Sequence, residues 1–142
     1  MSLAACSPEH ATEQQQPERR PILELMTEVI TPATDTVWGA DDPQTDEEWQ
    51  VLHDAAVLVG STFESIRKGG AGENDDAWAE NPEFQAFVDA ELAANKLVRA
   101  AIAARDMDAL FDAGNELYTP CEACHLRFNP AVIEGETTDT QR

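Results

Sequence analysis

Cys121-Glu122-Ala123-Cys124-His125 gathers two thiols and an imidazole within one short stretch. Residues three apart on a helix share a face, so both sulfurs would line up along one edge of a flat group lying against that face. The spacing suits a haem. Each thiol adds to one vinyl group, and the imidazole that follows serves as axial ligand to the iron. The pattern therefore predicts one covalently held haem c per chain, attached at Cys121 and Cys124, with His125 on the iron. Other chemistries use the same residue types. A redox dithiol of C-x-x-C type belongs to a βαβ setting and opens a helix, whereas this one closes a helical stretch. A zinc site needs a fourth ligand beside Cys121, Cys124 and His125. Cys6, His10 and His53 are the other Cys and His residues of the chain, and none is expected near the motif.

Four helical stripes can position these groups, and no strand-like alternation is present. The first runs from about Glu18 to Trp38, with Ile22, Met26, Val29, Ala33 and Val37 on one face; Pro32 should kink or split it. The second starts at the capping box Thr45-Asp46-Glu47-Glu48 and places Trp49, Leu52, Ala56, Val59, Phe63 and Ile66 inward before Gly69-Gly70. A Gly- and acid-rich loop covers 70–80. Asn81-Pro82 then opens the third helix, with Phe84, Phe87, Val88, Val98 and Ile102 inward. Glu91 and Asn95 fall on that same face by phase, and the expectation is that they turn to its flank. Asp106 caps the fourth, whose expected inner face is Met107, Leu110, Phe111, Gly114, Tyr118, Cys121, His125 and Phe128. Short links between helices of similar length predict an all-α, up-down-up-down four-helix bundle. It should span 21–130, between a flexible tether at 1–20 and a loose acidic tail at 131–142.

Composition sets the limits. The chain has 142 residues, 42% of them hydrophobic, with 9 Lys and Arg against 28 Asp and Glu and a formal net charge of −19. That is enough for one domain with a core. The charge argues against nucleic acid, whose phosphates need cations, and it suits solubility, a basic partner or a salty habitat alike. No apolar stretch reaches the ~20 residues that a spanning helix needs. Leu3-Ala4-Ala5-Cys6 looks like the end of a bacterial lipoprotein signal, in which the cysteine becomes lipid-modified, although only Met1 and Ser2 precede it. The competing reading is a small-residue tail with a stray cysteine. On the first, Ser7 to Arg20, rich in Pro, Gln and Glu, is the tether of a periplasmic, membrane-anchored domain.

Four helices, a C-x-x-C-H near the C-terminal end, and an aromatic three positions after the histidine resemble the class II cytochromes c, the cytochrome c′ type. Cys121, Cys124, His125 and Phe128 carry the resemblance, which covers about Arg20 to Pro130. It implies a monohaem bundle and allows a homodimer. Some members have a methionine on the first helix as sixth iron ligand, and others leave the iron five-coordinate. A basic residue often stands four positions after the histidine; here that position is Asn129, and the nearby cation is Arg127.

Topology then places the haem. The end of helix four meets the start of helix one, the end of helix two and the start of helix three, so Phe63, Ile66, Phe84, Phe87 and Val88 should line the pocket. Met107 lies ~27 Å up the axis and His53 ~22 Å, beyond reach. Met26 is left as the expected sixth ligand, the alternative being a core-filling methionine. Arg19, Arg20, Arg67, Lys68 and Arg127 collect at this end, and Arg20 is the candidate for a haem propionate. The expected function is electron transfer with a redox partner protein, a basic one on charge. The alternatives are nitric oxide binding at a five-coordinate haem, or a non-haem helical interaction module stapled by a metal or a disulfide. No acid–base pair or nucleophile suggests an enzyme.

Overall fold

The computed structural model describes residues 19–131. Cys6, the tether and the acidic tail from 132 onward lie outside them. Among the described residues every element is helical. Helix α1 spans 22–38 as one rod in three parts, Ile22–Leu25, a π-helical turn Met26–Ile30, and Thr31–Trp38. Helix α2 is Asp46–Ile66, α3 the short Asp75–Glu80, α4 Pro82–Ala104 and α5 Met107–Phe128. The four long helices form the up-down-up-down bundle. Helix α1 packs on α2, α2 on α4 and α4 on α5, while the α5–α1 seam that closes the ring is the sparsest. No helix of the described residues is long and apolar enough to cross a membrane.

Local chemistry sets the helix ends. The Thr45 hydroxyl accepts from Glu48 N while Glu48 Oε2 accepts from Thr45 N, a complete capping box. Asn81 accepts from Glu83 N to open α4, and Asp106 accepts from Ala109 N to open α5. Helix α1 begins at Ile22, later than Glu18, and Pro21 before it has no side chain to cap with. The cap comes instead from a distant carboxylate. Buried Asp75 Oδ2 accepts from Ile22 N at 2.9 Å and from Gly72 N at 2.8 Å, and Ala71 N donates to Arg20 O at 3.3 Å. The 70–80 segment, expected as loop, thus carries a short helix that ties down the start of α1.

Pro32 does not split α1. The π turn just before it widens the backbone where the ring would press on the preceding turn. Thr31 N–H and Thr31 Oγ1 both donate to Met26 O, the latter at 2.9 Å. The extra residue shifts the buried stripe to Ile22, Ile30, Ala33 and Val37, so Ile30 takes the place expected of Val29.

Two further expectations change. The inner face of α5 is Leu110, Ala113, Gly114, Leu117 and Pro120, whereas Phe111 and Tyr118 face outward. On α4, Glu91 and Asn95 are inside, 2% and 3% exposed, and not on the flank. Asn95 is satisfied there: its Nδ2 donates to Ala56 O at 3.0 Å. The core falls into two parts. One gathers around Leu52, Ala56, Val98 and Leu117, the other around Ile22, Phe63, Ile66, Phe84 and Val88.

Candidate functional site

The last turns of α5 present Cys121, Cys124, His125 and Phe128, and they meet the first turns of α1 where the seam between the two helices opens. A cavity of about 320 Å³ lies there, with Ile22, Met26, Trp78, Phe84, Cys124, His125 and Phe128 in its wall. Helix α5 supplies the thiol and imidazole. Helix α1 supplies Met26 at the head of the π turn. The short α3 supplies Trp78, and the first turn of α4 supplies Phe84.

The wall is aromatic. Phe84 stands edge-on to Phe128 with centroids 5.3 Å apart, Trp78 stacks on Phe84 at 6.2 Å, and Phe87 meets the Phe128 ring edge at 6.3 Å. Arg127 lies 5.1 Å over the Phe128 ring, a cation–π contact, and bonds Glu83. Of the residues expected to line a pocket, Phe84 and Phe128 reach the cavity. Phe63, Ile66 and Val88 are buried in the same apolar cluster, against which Met26, Cys124, Trp78 and Phe128 pack.

Cys121 lies away from this wall, half-buried beside the carboxyl of Glu91 on α4. Burial, and then the Glu91 charge, push its thiol far above the ordinary range. Burial, followed by the charges of Glu91 and Glu83, pushes Cys124 up to about 11. Both thiols are therefore protonated at neutral pH, the opposite of a reactive redox dithiol. Both cysteines are free. Burial also raises Glu91 to about 7, and its interaction with the Cys121 thiol offsets that only in part. Although it couples to Cys121, neither Glu91 oxygen makes a hydrogen bond of acceptable geometry.

The arginines at this end are engaged with carboxylates. Arg20 bonds Glu24 and Glu28 along α1, so reaching a propionate would require leaving that pair. Arg19 bonds Asp76 and Lys68 O, and Arg67 bonds Asp89. Among the described residues no group of three or more His, Cys, Asp or Glu side chains is arranged to hold a metal ion. The donor set and its walls do fit a haem: two thiols one helical turn apart, an imidazole next to the second, and an apolar aromatic cavity beside Cys124 and His125. Sequence reasoning missed Trp78 and Asp75. Their signal was the acidic first turn Asp75-Asp76 preceding Trp78, inside a stretch that glycine and acid made look like loop.

Compared with known protein families, residues 14–129 match the family described as Cytochrome C′. No curated protein and no solved structure matches the chain.

Proposed function

The chain belongs to the cytochrome c′ family and is a haem c-type cytochrome, and from that premise we propose that it transfers electrons, with one haem bound by thioethers at Cys121 and Cys124 and ligated by His125 and Met26. The observation that carries this reading is that Met26, Cys124 and His125 line one cavity. Haem, when bound, supplies a one-electron couple, whose potential a methionine–histidine pair raises. The chain's own residues hold and shield it. Cys121 and Cys124 would carry the thioethers, and Trp78, Phe84 and Phe128 keep water from the apolar wall. Electron transfer needs no substrate pocket beyond this. Because haem attachment of this kind takes place outside the bacterial cytoplasm, the proposal includes export to the periplasm. It also includes a lipid anchor at Cys6 and a basic redox partner. Cys6→Ser should then move the protein from the membrane to the soluble fraction.

A second reading is nitric oxide binding at an iron that Met26 leaves open. It draws on the half-buried Met26 standing at the head of a π turn, so that its reach depends on that irregular turn. One variant separates the two. Oxidised wild-type holoprotein should be low-spin, with a weak red methionine-to-iron band. Met26→Leu should abolish the band, make the iron high-spin and lower the potential. A wild type already high-spin, with an unchanged Met26→Leu spectrum, would hand the site to gas binding. Covalent attachment is tested separately. Haem should survive acid–acetone extraction in wild type and be lost in the Cys121→Ala/Cys124→Ala double variant.

A further inference from the structure

The α1–α5 seam opens a second time, farther from the motif. Trp38, at the end of α1, lies against Gly114 of α5, where its Nε1 donates to Gly114 O at 3.0 Å. A Cβ at Gly114 would stand 3.2 Å from Trp38 Cδ1, so a larger residue there would press the indole back by a few tenths of an ångström. Beside this contact is a groove of about 340 Å³ walled by Trp38, Leu110, Phe111 and Tyr118. Its aromatics are not covered: Phe111 is 71% exposed, Tyr118 48% and Trp38 43%. Tyr118 stands edge-on to Trp38 with centroids 6.0 Å apart. A cluster of exposed aromatics around a groove marks an interaction surface, since single exposed apolar residues are ordinary but clusters are not.

The surroundings say what fits it. Asp108, Asp112 and Glu122 are exposed on the α5 turns flanking Phe111 and Tyr118, and Asp35 is exposed on the facing turn of α1. We infer that this groove docks the basic redox partner, a protein surface that presents an apolar side chain ringed by Lys and Arg. The inference rests on the electron-transfer reading. A second copy would bring a formal −19 against −19, with the same acids around the same groove. Residues 1–18 carry no Lys or Arg, and 132–142 carry three acids and one Arg, so neither end of the chain complements the groove. Position supplies the function. Tyr118, at the groove's near edge, is three residues, ~4.5 Å of rise, before Cys121, and Phe111 is ten residues, ~15 Å, before it, so a partner anchored on Phe111 extends at its near edge to within one helical turn of the attachment cysteine. The apolar centre holds the partner, and the acidic rim draws it in and orients it.

The test uses haem-loaded protein and a dye-labelled, lysine-rich amphipathic helical peptide with one leucine face as the partner mimic, read by fluorescence anisotropy at several salt concentrations. Phe111→Ser, at an exposed position, should weaken binding ~10-fold or more. Asp108→Asn/Asp112→Asn should weaken it and flatten its salt dependence. Asp54→Asn/Glu64→Gln and Leu97→Ser, exposed positions on α2 and α4, should change neither. Equal loss from the α2 charge pair would mean attraction to any acidic surface and overturn the inference. So would an unaffected Phe111→Ser variant, no binding at low salt, or a sedimenting dimer that Phe111→Ser dissociates. No electron moves in this assay. A high-spin wild type would thus refute electron transfer without touching the binding result, and failed binding beside a low-spin iron would refute only the groove.

Discussion

Around Ala56, Val98 and Leu117, all fully buried, the helices meet through small and branched side chains. Ala56, Ala94, Ala101 and Ala113 sit at the contacts and let the helix axes come close. Around Ile22, Phe63 and Phe84 the same helices are held apart by rings, with Trp78 and Phe128 packed on them and a cavity beside them. The two halves share helices, periodicity and caps. They differ in side-chain volume at their centres: the first closes there and opens only in a groove at its α1–α5 edge, while the second leaves a cavity among its rings. The closed half holds the helices in register, so the open half keeps its cavity walls in place without filling it.

The largest expected effect falls on the closed half. Leu117→Ala removes a fully buried side chain and should cost about 3–5 kcal/mol. Phe84→Ala, beside the cavity, should cost less in the haem-free protein, because its neighbours already lack partners on one side. Urea unfolding of both variants gives the comparison, and a costlier Phe84→Ala would mean that the open half is packed like the closed one.

Next is Glu91, between the halves. Its folded carboxyl titrates near 7 against the usual 4.5, so the folded state binds the proton more tightly than the unfolded. Its contribution is full below about 4.5 and is lost as pH rises through about 7, a decline of ~3 kcal/mol at most. Denaturation midpoints of the haem-free protein between pH 5 and 8.5 should fall with pH, and Glu91→Gln should flatten that slope. An unchanged slope in the variant would assign the pH dependence to other groups. The smallest effect is expected at Thr45→Ala, which breaks the capping box of α2 far from the cavity. It should cost ~1 kcal/mol and leave the optical spectrum of the holoprotein untouched.

The sequence made the helices and the motif legible because periodicity, caps and a dense cluster of rare residues all speak locally. The misread faces have specific causes. On α5 two apolar stripes compete, one through Phe111 and Tyr118 and one through Ala113 and Leu117. Trp38 packs on Gly114, which both stripes share, and leaves Phe111 and Tyr118 on the outer side of that contact, a contact between residues far apart in sequence. On α4, phase placed Glu91 and Asn95 inside while their polarity argued for outside. Phase prevailed because Asn95 finds Ala56 O across the interface and Gly60 leaves room for it; a Cβ there would meet Asn95 Oδ1 at 2.8 Å. The capping of α1 by Asp75 was invisible for a like reason, since it joins segments 53 positions apart.

The π turn Met26–Ile30 amounts to a helix that has accepted one surplus residue. Chain length inside α1 is therefore a variable that composition does not reveal. Deleting one residue at 27–29 would restore ordinary α winding and, because the wide turn already absorbs the surplus, would leave the two flanks in their present phase. Met26 would keep its place on the cavity wall, whereas the same surplus residue wound as plain α-helix would have turned it away by ~100°. Two chains with the same pocket residues and the same C-x-x-C-H could thus differ by one codon in α1 and still present the same groups to the cavity. An alignment that scores substitutions but slides over such gaps would pair the wrong positions.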